Sequence, residues 1–167
     1  KRVLLFVLMA ACSKNDAAPP VDKPDTNEPA PLGGDRPVDY FRVPSSYDPS
    51  KPAPLVLVLH GYGAGGLIEA TAFFRFQQIA DKEGFFIVAP DGTMNSKGLR
   101  FWSATDTCCD FEKTGVDDVK YLTSLVDEVS SRYSIDPKRI YAVGHSNGGA
   151  MVFGLACKAP ERFAAMV

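Results

Sequence analysis

Residues 139–151 read RIYAVGHSNGGAM, and this stretch decides the fold. The run before Gly144 has the composition of a buried strand, and the residues after Gly148 have that of a helix. The turn between them carries Gly144, Ser146 and Gly148 in a G-x-S-x-G pattern. In that setting the pattern predicts a tight, strained turn that exposes the serine, and the glycines avoid colliding Cβ atoms. Ser146 is therefore the candidate nucleophile; a glycine-rich turn with an ordinary serine is the alternative.

Other segments have the composition of β-strands. Residues 54–60 and 85–89 are continuous apolar runs, which is typical of strands buried on both faces of a parallel sheet. Residues 38–43 predict an earlier edge strand that ends before Pro44, and residues 163–167 read as the start of a further buried strand.

Helical periodicity separates these strands. One apolar stripe has the spacing of a helix face and consists of Val119, Leu122, Val126, Val129 and Tyr133. Thr114 and Asp117 resemble a capping box at its start. A second helix is expected over residues 70–82, ended by Gly84, with three side chains pointing inward: Phe73, Phe76 and Ile79. A third follows Ser146 and stops before Pro160. The alternation of strands and helices predicts an α/β fold with a mostly parallel sheet.

A glycine-rich loop, residues 60–66, follows the strand at 54–60 and reads HGYGAGG. Next to a serine in a strand–turn–helix setting, such a loop supplies one backbone N–H of an oxyanion hole, and the residue after the serine supplies the other. The expected donors are the amides of Tyr62 and Asn147.

A phosphate cradle is the rival interpretation of the same loop. Gly61, Gly63 and Gly66 spell G-x-G-x-x-G after a strand, and Asp91 at the end of the next strand could serve as a ribose-binding acid. A dinucleotide site would leave the turn at Ser146 unexplained, so this interpretation is the weaker one.

A serine nucleophile needs a general base, normally a histidine oriented by an acid. His60 belongs to the glycine-rich loop, and His145 stands beside Ser146 on the same turn and points elsewhere. The acid after Ser146, Glu161, lies just past a helix end rather than after a strand. We therefore expect the natural reading frame to continue past Val167, with the triad acid and histidine beyond it.

The first residues resemble an export signal. Lys1 and Arg2 precede an apolar run that is too short to span a membrane, and this run ends in Ala-Ala-Cys12. The pattern resembles a bacterial lipobox, with residues 1–11 as a lipoprotein signal peptide and Cys12 as the lipidated residue. Residues 12–37 are rich in proline and predict a disordered tether, which places the domain at 38–167. An ordinary signal peptide and a trimmed propeptide are the alternatives.

Composition excludes some classes of function. The net charge of −2 provides no basic surface for nucleic acid. No histidine or spaced cysteine pair completes a metal site, and no cofactor is indicated.

In an oxidising compartment the remaining cysteines could form a disulfide. The expected bridge joins Cys157 to Cys108 or Cys109.

The blocks LVLVLHGYGAGG, GFFIVAPDG, FWSATDTCCDF, GVDDVKYL, IDPKRIYAVGHSNGGAM and LACKAPERFAAMV occur in this order over residues 55–167. Together they resemble the polyhydroxybutyrate depolymerase and feruloyl esterase family of α/β-hydrolases, which includes bacterial lipoprotein esterases. The resemblance implies Ser146 as the nucleophile, with Tyr62 and Asn147 forming the oxyanion hole. Trp102 lies in a stretch that could border the substrate cleft, although a buried aromatic is the favoured role.

The resemblance implies an exported serine esterase. Its partner would be a polysaccharide-linked ester, such as a feruloyl or acetyl ester, or a polyester oligomer of the polyhydroxyalkanoate type. It would sit at the cell envelope or be secreted, and would contact the membrane only through its lipid. Two alternatives remain open: an acyltransferase on the same scaffold, and a non-catalytic envelope lipoprotein that keeps the fold for binding.

Overall fold

The computed structural model describes residues 31–105 and 107–167. The predicted signal peptide, Cys12 and most of the predicted tether lie outside these residues.

A five-stranded sheet in the order β1-β3-β2-β6-β7 carries the candidate site. Its strands are β1 (Tyr40–Arg42), β2 (Ala53–Leu59), β3 (Phe86–Ala89), β6 (Ile135–Gly144) and β7 (Ala165–Met166). Strand β2 is parallel to both β3 and β6, β6 is parallel to β7, and only the β1–β3 pairing in this sheet is antiparallel. Two short strands, β4 (Thr93–Met94) and β5 (Arg100–Phe101), form a separate hairpin. The predicted mostly parallel sheet is confirmed.

Helices cover both faces of the sheet. Alternate residues of the central strands point to opposite faces, so each of these strands contributes side chains to two apolar clusters. The larger cluster takes Leu55, Leu57 and Leu59 of β2 together with apolar residues of α3 (Asp118–Arg132) and α4 (Asn147–Lys158). The smaller cluster takes Val58 of β2 and residues from α2 (Gln77–Glu83) and the turn before it. Burial on both faces explains why these strands read as continuous apolar runs.

The segment between β2 and β3 departs from the expected single helix. A short turn, α1 (Gly66–Ile68), leads into a π-helical turn (Glu69–Phe73), and Arg75 has a φ of +57° before α2 begins. The wide π-helical turn and the interruption of the helix at Arg75 shift the apolar stripe, so the side chains of Phe73 and Ile79 are exposed. Their expected inward orientation is wrong, whereas Phe76 does pack against the smaller cluster. Gly84 ends α2 in the left-handed conformation, as predicted.

Helix α3 begins at a cap formed by Asp117, whose side chain accepts a hydrogen bond from the Lys120 amide at 2.9 Å. The predicted capping box with Thr114 is wrong, because the Thr114 hydroxyl donates to Asp110 instead. The buried residues of α3 include Leu122, Val126 and Val129 of the predicted stripe.

The chain packs onto the domain from Leu32 onward. Leu32 is buried, and the Gly33 amide donates to Glu128 Oε2 at 2.9 Å. Arg36 pairs with the buried Asp118 at 2.7 Å and lies over the ring of Tyr121. Packing therefore begins six residues before the domain start predicted at Val38.

Candidate active site

Ser146 occupies a strained turn between β6 and α4. Its backbone has φ +54° and ψ −116°, which a non-glycine residue rarely adopts. Such a conformation costs on the order of 1–3 kcal/mol and persists only where the surrounding structure enforces it. The predicted strand–turn–helix context is present, because β6 ends at Gly144 and α4 begins at Asn147.

The flanking glycines are required by close approach of the backbone. A Cβ added at Gly144 would lie 2.3 Å from the carbonyl carbon of Gly148. A Cβ added at Gly148 would lie 2.1 Å from the carbonyl oxygen of Leu59. Gly148 thus lets the first turn of α4 sit directly on the end of β2, and this confirms the steric argument made from the sequence.

The glycine-rich loop lies against this turn. A Cβ added at Gly61 would stand 3.5 Å from the Cβ of Ser146. Gly63 has a φ of +76°, and its amide donates to the Arg100 carbonyl at 2.8 Å, which holds the loop against β5. Within residues 31–105 and 107–167, no backbone acceptor takes the amides of Tyr62 or Asn147. Neither candidate donor is therefore occupied by a backbone acceptor.

Asp91 holds the glycine-rich loop and is not free to bind a ribose. Its Oδ1 accepts a hydrogen bond from the Gly66 amide at 2.9 Å, and its Oδ2 pairs with Arg100 at 2.9 Å. A Cβ at Gly66 would lie 2.1 Å from the carbonyl oxygen of Ala89, so this glycine serves close packing. These engagements argue against the dinucleotide interpretation.

His60 is a buried structural residue. Its Nε2 accepts a hydrogen bond from the Gly92 amide at 2.8 Å, so the proton resides on Nδ1, which donates to the Gly61 carbonyl at 2.8 Å. Burial is the main reason that the pKa of His60 lies below its ordinary value. The ring is therefore neutral, and both of its nitrogens are engaged.

The ring of His145 is turned toward Phe73 and Glu69. Its ring stacks on Phe73 with a centroid separation of 4.4 Å, and its Nδ1 lies 3.3 Å from Glu69 Oε1. Both histidines are thus engaged by groups other than Ser146.

Glu69 is a site residue that sequence reasoning missed. Its side chain is buried in the π-helical turn, and its Oε2 faces the Gly61 amide at 3.5 Å. Apart from the approach of His145 Nδ1, its Oε1 has no hydrogen-bond partner within the described part of the chain. No sequence signal distinguishes this glutamate from an exposed one near the start of a helix.

Trp102 is fully buried, so its indole does not line an open cleft. The structure therefore agrees with the favoured role, a buried aromatic. Its indole N–H donates to the carbonyl of His60 at 3.0 Å.

The expected bridge from Cys157 is wrong. Cys108 and Cys109 are bonded to each other, and Cys157 is a free, exposed thiol. Cys157 lies on the exposed side of α4, whereas Cys109 is buried. Among residues 31–105 and 107–167, no group of three or more His, Cys, Asp or Glu side chains could hold a metal ion.

A strained serine between a central parallel strand and a helix, with a glycine-rich loop against it and helices on both sheet faces, defines an α/β-hydrolase. The chain belongs to the Esterase family: residues 31–167 match the family model described as "Putative esterase".

Individual relatives agree with this assignment. The chain is 34% identical over 134 residues to a poly(3-hydroxybutyrate) depolymerase of Ralstonia pickettii, covering 75% of this chain and 27% of the relative. It is 29% identical over 124 residues to feruloyl esterase B of Piromyces equi, covering 74% of this chain and 22% of the relative. The crystal structure of a thermostable esterase superposes with a TM-score of 0.60 at 25% identity, covering 75% of this chain and 35% of that one. The chain thus spans less than a third of the length of either curated relative.

Proposed function

We propose that this chain carries the nucleophile and the oxyanion hole of a serine carboxylic-ester hydrolase, with Ser146 as the nucleophile. The observation that carries the proposal is the backbone of Ser146, which is strained beside a loop with an available amide. Binding alone does not need a strained serine, so this geometry supports a catalytic role over a purely structural one.

The reaction would proceed through an acyl-enzyme. Ser146 Oγ attacks the ester carbonyl while a base takes its proton, and the resulting oxyanion accepts hydrogen bonds from the amides of Tyr62 and Asn147. The intermediate collapses, the alcohol leaves with the proton, and the acyl group stays on Ser146. Water then attacks the acyl group, which releases the acid and restores the serine.

The base is neither of the two histidines in this chain. His60 is buried with both ring nitrogens engaged, and the ring of His145 faces Glu69 and Phe73. The proposal therefore assigns the general base to a group other than these two side chains.

The proposed substrates are feruloyl or acetyl esters on polysaccharides, or esters of the polyhydroxyalkanoate type. Relatives with these names support this range: a poly(3-hydroxybutyrate) depolymerase, a feruloyl esterase B and a bifunctional acetylxylan esterase/xylanase.

The test uses the complete reading frame that contains this chain. We expect hydrolysis of p-nitrophenyl acetate and covalent labelling of Ser146 by a fluorophosphonate, located by peptide mass spectrometry. Ser146→Ala should abolish both, whereas Ser124→Ala, an exposed serine on α3, should leave both unchanged. Labelling of a different serine, or activity that survives in Ser146→Ala, would refute the assignment. Ester product that forms only when an alcohol is added would identify an acyltransferase.

We also propose that Cys12 carries lipid and tethers the enzyme to the cell envelope. The support is the basic start, the apolar run and the Ala-Ala-Cys sequence. Within the described part of the chain, no helix has the length and apolar character needed to cross a membrane. Cys12→Ser should release the protein from the membrane fraction. Retention at the wild-type level would refute the lipid anchor.

A further inference from the structure

We infer that Trp102 is a positioning residue that holds the two candidate oxyanion donors, the amides of Tyr62 and Asn147, in one fixed arrangement. This inference rests on the proposed function.

The main chain of Trp102 binds the residue that follows the serine. Its N–H donates to Asn147 Oδ1 at 2.8 Å, and its carbonyl accepts from Asn147 Nδ2 at 3.0 Å. These two bonds define the orientation of the Asn147 side-chain amide, because its oxygen faces a donor and its nitrogen faces an acceptor. Asn147 is almost fully buried, so water cannot replace either partner. The side chain of Asn147 thus anchors the start of α4, where its own backbone amide stands ready as a donor.

The side chain of Trp102 binds the other half of the site. Its indole N–H donates to the carbonyl of His60 at 3.0 Å, two residues before Tyr62 in the glycine-rich loop. The rings of Trp102 and His60 also pack together with centroids 5.0 Å apart. One buried residue therefore connects the loop with the turn that carries Ser146.

The segment that carries Trp102 is itself anchored. The amide of Ser103 donates to Asp118 Oδ2 at 2.7 Å, and Asp118 also pairs with Arg36. On the preceding side, the Arg100 carbonyl accepts from the Gly63 amide. Trp102 is thus fixed from both sides and can transmit that rigidity to the two donors.

An oxyanion hole stabilises charge that exists only in the transition state, and its donors must be held in place before the reaction. A variant that loosens the arrangement of the two donor amides should therefore lower kcat and leave KM nearly unchanged. A tryptophan that only filled space would affect stability without this kinetic signature.

Trp102→Phe removes the indole N–H and keeps an aromatic ring. We expect kcat for p-nitrophenyl acetate to fall by roughly tenfold or more, with KM within about twofold of the wild type. Affinity for a trifluoromethyl ketone, a mimic of the tetrahedral intermediate, should fall by the same factor. Fluorophosphonate should still label Ser146. The control is Phe86→Leu, a buried change on β3, which should lower stability while kcat stays at the wild-type level.

Asn147→Ala is the second variant, because it removes the side-chain anchor and keeps the backbone amide. It should reproduce the loss in kcat, and it decides the matter if Trp102→Phe does not fold. If both folded variants keep the kcat of Phe86→Leu, the inference is wrong while the proposed function stands. If the wild-type protein lacks esterase activity and Ser146 labelling, the proposed function itself fails.

Discussion

Gly148 lies so close to Leu59 that a Cβ added to Gly148 would stand 2.1 Å from the carbonyl oxygen of Leu59. Real Cβ atoms do not approach a backbone oxygen this closely, so a larger side chain must push α4 away from the end of β2. The same contact sets the position of Ser146, which lies two residues earlier and faces the loop that follows β2.

Gly148→Ala should therefore destabilise the protein by about 2 kcal/mol or more and reduce esterase activity. The matched control is Gly154→Ala on the same helix, where the nearest atom to an added Cβ is 3.5 Å away. There the better helix propensity of alanine should leave stability unchanged or raise it by up to about 1 kcal/mol. Urea denaturation of both variants measures the difference. Equal stability of the two variants would contradict the close packing of α4 on β2.

The second prediction concerns pH and the buried His60, whose pKa burial lowers. The charged groups near its ring are Asp91, Glu69 and Arg100. The unfolded chain binds a proton at this histidine below about pH 6.5, whereas the folded chain resists protonation. Stability from neutral His60 is therefore complete above that pH and declines as the pH falls.

Urea unfolding between about pH 7.5 and 5.5 tests this slope. His60→Gln should flatten the pH dependence, although its absolute stability will be lower because buried hydrogen bonds are lost. A pH dependence that keeps the wild-type slope in His60→Gln would contradict the assignment of the effect to His60.

The third prediction compares two aspartates of α3 that each pair with an arginine. Asp118 is buried and accepts bonds from Arg36 and the Ser103 amide, whereas Asp127 is exposed and pairs with Arg162. Asp118→Ala should cost about 2–4 kcal/mol, because a partly buried guanidinium and a partly buried amide lose their acceptor. Asp127→Ala should cost no more than about 1 kcal/mol. Denaturation midpoints measure both, and comparable losses would contradict the structural role assigned to Asp118.

The fourth prediction concerns the cysteines of the domain. Cys157 is exposed and free, while Cys108 and Cys109 are bonded to each other. A maleimide added to the native, non-reduced protein should modify Cys157 and spare the other two. Peptide mass spectrometry locates the label. Recovery of Cys157 in a peptide crosslinked to Cys108 or Cys109 would restore the bridge expected from the sequence.

The sequence by itself determined the α/β class, the strands around the site and the turn at Ser146. These features depend on local signals: apolar runs for β2 and β3, helical periodicity for α3, and the spacing of Gly144, Ser146 and Gly148. Backbone sterics act over a few residues, so a local pattern is enough to predict a strained turn. The resemblance in motif order then indicated the family, which the comparison with known proteins confirmed.

Only the tertiary structure decided the contacts between distant segments. Three contacts join residues that are far apart in the chain: Glu69 with His145, Arg36 with Asp118, and Trp102 with Asn147. The π-helical turn in which Phe73 is exposed has no local signature in the sequence. Such contacts depend on how the helices pack on the sheet, and the local pattern of residues along the sequence does not specify that packing geometry.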